Sequence, residues 1–144
     1  MGKILLIGGI GAGKTSLKQM LMNEQVIYRK TQMLDFSKIF IDCPGEYLEI
    51  PRFYHVLIDT SHQVSEIWVL QDATKPRTYY PPKFVKVFNK PIIGIITKVD
   101  LPKANVEQAV SYLADAGITE PFYPTSIING EGFSPLRLRL EALS

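Results

Sequence analysis

The chain holds one cysteine, Cys43, two histidines and a single tryptophan, and none of its apolar runs exceeds a few residues. A lone cysteine excludes an internal disulfide and suits a reducing compartment. His55 and His62 have no neighbouring carboxylate or cysteine cluster, so neither is a candidate metal ligand. A membrane-spanning helix needs about 20 apolar residues, and the N-terminus enters a strand without a signal-peptide pattern. Leu6 occupies the position where a myristoylation motif after Met1-Gly2 wants Ser or Thr. These absences predict a cytoplasmic protein. Charge of one sign is also missing: 16 basic and 14 acidic residues leave a net charge of +2, with no basic stripe, so nucleic acid is not an expected partner.

What remains is enough for one packed core. With 144 residues, 46% of them hydrophobic, a single domain over 1–144 is expected. Strand and helix patterns alternate, which predicts an α/β fold with a mostly parallel sheet and helices on both faces. The strand candidates are Lys3 to Ile7, Lys38 to Ile41, Glu66 to Leu70, Ile92 to Thr97 and Phe122 to Tyr123, with a possible antiparallel edge strand from Met33 to Phe36. Helices are predicted for Gly13 to Asn23, Arg52 to Thr60, Val106 to Ala116 and Pro135 to Leu143, with a brief turn near Pro82 to Val87. Asn105, Gln108 and Gly117 punctuate the third of these helices as N-cap, capping-box partner and C-terminal stop. Lys75 to Pro82 reads as a loop. Tyr79-Tyr80-Pro81-Pro82 and Phe53-Tyr54 offer either aromatic core packing or an exposed docking surface.

The strongest local signal is Gly8-Gly9-Ile10-Gly11-Ala12-Gly13-Lys14-Thr15, which satisfies G-x-x-x-x-G-K-[ST] between a strand and a helix. Glycines let successive amide N–H groups turn inward onto an anion, and the following helix aims its positive end at the same point. Lys14 adds a charge for the β- and γ-phosphates, and the Thr15 hydroxyl is a natural ligand for the accompanying Mg²⁺. The expected phosphate-binding set therefore runs Gly8, Gly9, Ile10, Gly11, Ala12, Gly13, Lys14, Thr15 and Ser16.

Three further pieces fall at strand ends. Asp42-Cys43-Pro44-Gly45 has D-x-x-G spacing, suited to a carboxylate holding Mg²⁺ through water and a Gly45 N–H near the γ-phosphate. Thr97-Lys98-Val99-Asp100 places a carboxylate where it can accept from guanine's N1–H and exocyclic amino group, a donor pair adenine lacks. Thr125-Ser126 precedes Asn129-Gly130-Glu131-Gly132, where a backbone N–H could meet the guanine carbonyl. Together these predict binding of GTP or GDP with Mg²⁺.

In this order the pieces resemble the Ras-like, translation-factor-type P-loop GTPases, with T-K-x-D in place of N-K-x-D. More narrowly, Asp42 to Glu49, Gln71-Asp72-Ala73-Thr74 and Thr97 to Asp100 resemble the small GTPase-like proteins of bacterial ethanolamine- and propanediol-utilisation systems. The resemblance implies a three-layer P-loop NTPase fold in a shortened small-GTPase-like domain, and an association with bacterial microcompartments and a protein partner there. It also implies a switch threonine, for which Thr31 is the candidate metal ligand. Where many GTPases carry a water-orienting Gln this chain carries Glu46, and Arg29 is a candidate internal arginine finger. Lys14, Glu46 and Arg29 thus form the candidate catalytic set of a slow GTPase. Two alternatives stand beside it: an ATP-using kinase for acetate or a similar carboxylate, for which the sequence offers no arginine-bearing lid, and a non-catalytic targeting scaffold.

Overall fold

Five strands and four helices are laid out by the described residues, 2–9, 11–28, 39–42 and 54–143, of this computed structural model. Ile10, Arg29, Thr31, Met33 to Phe36, Cys43, Gly45, Glu46 and Phe53 lie outside them. Strand β1, Ile4–Ile7, is fully buried, as expected of an uninterrupted apolar run at the centre of a parallel sheet. Its side chains alternate: Leu5 and Ile7 enter one core, Ile4 and Leu6 the other.

Those two cores are the two faces of the sheet. Helices α2 (Tyr54–Ser61) and α3 (Val106–Asp115) cover the first through Leu57, Ala109 and Leu113. Helices α1 (Lys14–Tyr28) and α4 (Phe133–Leu143) cover the second through Leu17, Leu21, Leu136 and Leu140. The architecture is therefore α/β in three layers, as the alternating pattern predicts. The remaining strands are β2 (Phe40–Asp42), β3 (Glu66–Asp72), β4 (Ile92–Thr97) and β5 (Phe122–Pro124). They pair in the order β2-β1-β3-β4-β5, every pair parallel. Leu6, Trp68 and Ile93 stand in one row across the centre. Trp68 is wholly buried there, its indole N–H donating to Glu66 and its ring meeting Phe40 edge-on at 5.7 Å.

Parallel pairing brings the carboxyl end of every strand to the same edge, and the loops leaving that edge form the site. Three boundaries differ from the sequence reading for identifiable reasons. Strand β3 continues through Gln71 and Asp72, polar residues that are buried and paired with Ile96 and Thr97. Helix α1 runs to Tyr28, since no Gly or Pro intervenes to stop it. Helix α4 begins at Phe133, whose ring is fully buried, rather than at Pro135; the proline falls in the first turn, where its missing N–H has no intrahelical partner to lose.

Helix α3 follows its sequence punctuation closely. Asn105 accepts from the Gln108 amide at 3.0 Å. At the other end Gly117, with φ 102°, donates to Ala114 and Ile118 donates to Leu113, which is a Schellman closure. Of the aromatic segment, Tyr80 is core, stacked on Phe84.

Candidate nucleotide site

Strand β1 hands directly to the glycine-rich loop, and two of its residues need the left-handed backbone that glycine permits: Gly11 has φ 77° and Gly13 φ 103°. The Ala12 amide donates back to Gly9 and the Leu17 amide to Gly13, so the loop closes onto the first turn of α1. The Lys14 ammonium donates to the Gly8 carbonyl at 2.6 Å, which arches the side chain over the loop. A cavity of about 310 Å³ opens here, lined by Gly9, Gly11, Ala12, Gly13, Lys14, Thr15, Ser16 and Lys98. Helix dipole, backbone amides and two ammonium groups make it a region of positive potential.

The loop is braced by the end of β4. The buried Thr97 hydroxyl donates to the Ala12 carbonyl at 2.7 Å, and Lys98 donates to the Gly11 carbonyl at 2.8 Å. Lys98 adopts φ 62°, a conformation uncommon for a residue with a Cβ, at the residue where strand gives way to turn. Its ammonium also pairs with the Asp72 carboxylate at 2.9 Å. Thus the T-K pair of T-K-x-D is tied at two points to the phosphate loop.

Asp72 is a residue the sequence reading passed over except as part of a resemblance. It is buried at the end of β3 and accepts from the Thr74 amide at 2.8 Å and the Thr74 hydroxyl at 2.6 Å. Burial pushes its carboxyl pKa up, but the hydrogen bonds from Thr74 and Lys98 and the Lys98 charge outweigh burial and hold it below the ordinary carboxylate value. The signal available in sequence was D-x-T at a strand end, an Asx-turn pattern.

Beyond Lys98 the turn through Val99 and Asp100 meets the loop after β5. The Val99 amide donates to Thr125, whose own amide and hydroxyl donate to Ile96. Ser126 is buried and organises its loop: its hydroxyl accepts from the Ile128 and Asn129 amides, its N–H donates to Glu131, and its carbonyl accepts from Gly130. Between the two loops lies a small cavity of about 40 Å³, lined by Gly13, Ser16, Leu17, Thr97, Lys98, Thr125, Ile127 and Phe133. Asp100 is exposed at the end of the turn.

On the other side of the loop, β2 ends at Asp42, opposite Leu6 of β1. Its carboxylate pairs with the ammonium of Lys18, one turn along α1 from Thr15. A hydroxyl and a carboxylate are hard oxygen donors, the type Mg²⁺ takes, usually alongside several waters. The residues present therefore fit that ion. Lys18, also missed from sequence, holds the carboxylate against the helix that carries Thr15.

A third cavity, about 260 Å³, adjoins the loop at Gly9 and Ala12 and is walled by the segment after β3, including Lys75, Arg77 and Tyr79. The sequence reading found no arginine-bearing lid; this cavity is walled instead by a loop with one Lys and one Arg.

The sheet order, the glycine-rich loop on β1 and the brace from β4 define a P-loop GTPase-type α/β domain. The solved G-domain of FeoB from Methanococcus jannaschii has the same fold, with a TM-score of 0.66 at 19% identity over 99% of this chain and 96% of that one. Within that class the chain belongs to the PduV-EutP family, described as ethanolamine utilisation - propanediol utilisation, whose pattern matches residues 1–142. It is 35% identical over 143 residues to the "Propanediol utilization protein PduV" of Citrobacter freundii, covering 99% of this chain and 95% of that protein. Against the "Probable acetate kinase EutP" of Escherichia coli K12 it is 36% identical over 125 residues, 85% of this chain and 79% of that protein.

Proposed function

We propose that residues 1–144 act as one guanine-nucleotide-binding domain serving an ethanolamine- or propanediol-utilisation system, with slow Mg²⁺-dependent GTP hydrolysis. The observation that carries this reading is the double tie from Thr97 and Lys98 to the carbonyls of Ala12 and Gly11. It couples the residues next to the base reader Asp100 to the loop that takes the phosphates. Gly8 to Ser16 hold the phosphates through backbone N–H groups, with Lys14 leaving Gly8 for the β- and γ-oxygens.

Thr15, Asp42 and Thr31 would hold Mg²⁺, which supplies charge neutralisation as the γ-phosphoryl departs. Gly45 meets the γ-phosphate, and Ser126 keeps its loop in the shape that turns a backbone N–H toward the guanine carbonyl. Glu46 and Arg29 are the residues assigned to water and to transition-state charge. The likeness in fold to the FeoB G-domain supports the choice of base. The family's link to ethanolamine and propanediol utilisation supports a microcompartment setting, where we also propose a protein partner.

Calorimetry with GDP and with ADP in the presence of Mg²⁺ tests the base. GDP binds more tightly, and Asp100→Asn shifts preference toward xanthine nucleotides, because an amide donates to a carbonyl where the carboxylate accepted from an amino group. Tighter ADP binding, or an unchanged GDP preference in the variant, overturns the assignment.

A second reading has one observation in its favour. The cavity beside Gly9 lies next to the phosphate loop and carries cations, and a relative bears the name of a probable acetate kinase. A carboxylate is already an anion and needs no general base to attack phosphorus, so a kinase at this site would need only charge and alignment. Label from γ-labelled nucleotide appearing on acetate, rather than solely in free phosphate, is its signature.

A further inference from the structure

The cavity beside Gly9 has features that the nucleotide site does not use. Its wall, the segment from Ala73 to Tyr80, is fixed to the end of β3 by buried groups. Gln71 donates from its side-chain amide to the Arg77 carbonyl at 3.2 Å, and the Lys75 amide donates to Asp72. The Tyr80 hydroxyl donates to the Leu70 carbonyl at 2.5 Å. On this anchored loop Lys75 and Arg77 are exposed, and neither pairs with a carboxylate among the described residues. Asp72 also lines the cavity, but its charge is met by Lys98 and Thr74. The cavity therefore presents net positive charge at the side of Lys75 and Arg77, with carbon from Leu70, Ala12 and Tyr79 beside the polar Gln71 and Thr78 elsewhere.

That combination selects an anion with an apolar tail. A bare inorganic anion would leave most of about 260 Å³ filled with water, and a neutral molecule would forgo the charge-assisted hydrogen bonds that the exposed Lys75 and Arg77 can donate. Tyr79 joins this cavity to the phosphate loop. Its ring lies so close to the Gly9 backbone that a Cβ at Gly9 would stand 2.6 Å from it. The Arg77 guanidinium sits 5.9 Å above the other end of the contact, the centre of the same ring.

We propose that this cavity is a regulatory site for a small organic carboxylate, and that Arg77 and Tyr79 couple its occupancy to the phosphate loop. A carboxylate held by Lys75 and Arg77 fixes the guanidinium over the ring and the ring over Gly9. The loop is then ordered before nucleotide arrives, and binding of the two ligands is cooperative. Linkage makes the effect reciprocal. The coupling rests on the nucleotide reading given above; the carboxylate site does not.

Saturation-transfer NMR on the full chain, with and without GDP, tests the site using butyrate, with 1-butanol as the control ligand and inorganic phosphate, which has no carbon-bound proton to observe, as a competitor. Butyrate binds, 1-butanol binds at least about tenfold more weakly, phosphate displaces butyrate from the GDP-loaded chain only at concentrations at least about tenfold higher than butyrate's own, and Lys75→Ala/Arg77→Ala loses at least about tenfold in butyrate affinity. That double variant keeps its affinity for a fluorescent GDP analogue measured without butyrate, because neither side chain belongs to the phosphate loop. Butyrate strengthens analogue binding about threefold in the native chain, GDP strengthens butyrate by the same factor, and both effects vanish in Tyr79→Ala.

Equal binding of butyrate by the double variant, or no butyrate binding at millimolar concentration, overturns the site. Butyrate binding with no mutual effect overturns the coupling. Transfer of γ-label to butyrate would make the cavity an acceptor site and overturn its regulatory role. Failure of GDP to bind overturns the nucleotide reading instead, and leaves the butyrate titration readable.

Discussion

Thr97 donates its hydroxyl proton to the carbonyl of Ala12 across 2.7 Å, linking the strand that leads into the Thr97-Lys98-Val99-Asp100 turn with the glycine-rich loop. The donor is buried, so the bond is shielded from competing water. Thr97→Val keeps the shape and deletes the donor, leaving the Ala12 carbonyl without its partner. The variant loses about 1–3 kcal/mol of stability, and its affinity for a fluorescent GDP analogue drops roughly tenfold. Urea unfolding and an analogue titration check both. Unchanged affinity with reduced stability would make the bond purely structural.

Asp72 makes stability depend on acid. Its folded pKa lies below the ordinary carboxylate value because Thr74 and Lys98 favour the anion more than burial opposes it. A depressed folded pKa contributes stability that is fully present above the unfolded pKa, near 3.9 for Asp, and is lost as pH falls through the folded value. Melting temperature should therefore fall more steeply below about pH 5 for the native chain than for Asp72→Asn, the gap closing as pH passes the unfolded value and then the lower folded one. Parallel curves would remove Asp72 from the acid response.

Among the described glycines, Gly132 is the least tolerant of a side chain. Its φ is 83°, and a Cβ there would lie 2.0 Å from the Pro124 carbonyl oxygen. That obstacle is backbone, so nothing flexible can move aside. Gly132→Ala costs about 3 kcal/mol or more, and displaces the loop from Thr125 that Ser126 organises. Denaturant midpoints and GDP affinity should fall together; an unchanged midpoint contradicts the geometry.

Hydrolysis should be slow. In the proposed function Glu46 stands where a water-orienting Gln is common; a carboxylate cannot donate a hydrogen bond to water unless it is protonated, and a polyphosphate near it would add repulsion. Purified chain should turn over GTP below about 1 s⁻¹ without a partner. Glu46→Gln, which restores the donor, should raise that rate. Faster turnover in the native chain, or no change in the variant, would take Glu46 out of the step.

The layered fold was readable in advance because its signals are local. Burial on both sides of β1 needs the run Ile4 to Ile7, helical spacing puts Leu17 and Leu21 on one face, and Asn105 and Gly117 have backbone roles that few residues fill. The glycine-rich loop was readable for the same reason. What sequence did not disclose depends on partners distant along the chain. Gln71 and Asp72 read as polar residues past the strand ending at Leu70 until their partners, Arg77, Thr74 and Lys98, are in place. Lys18 reads as one more exposed helical lysine until β2 delivers Asp42 beside it. Lys75 to Pro82 reads as a proline-rich connection, and no local pattern says that it folds back until Tyr79 rests on Gly9.

The placement of Trp68 settles how the molecule can be watched. As the sole indole, sealed in the middle of the sheet on the face covered by α1 and α4, it will brighten or dim with the opening of that layer. Intrinsic emission is accordingly a clean gauge of global unfolding. Ligand arrival at the loop edge calls for a label of its own, and a dye on the nucleotide leaves the indole signal free to report folding in the same sample.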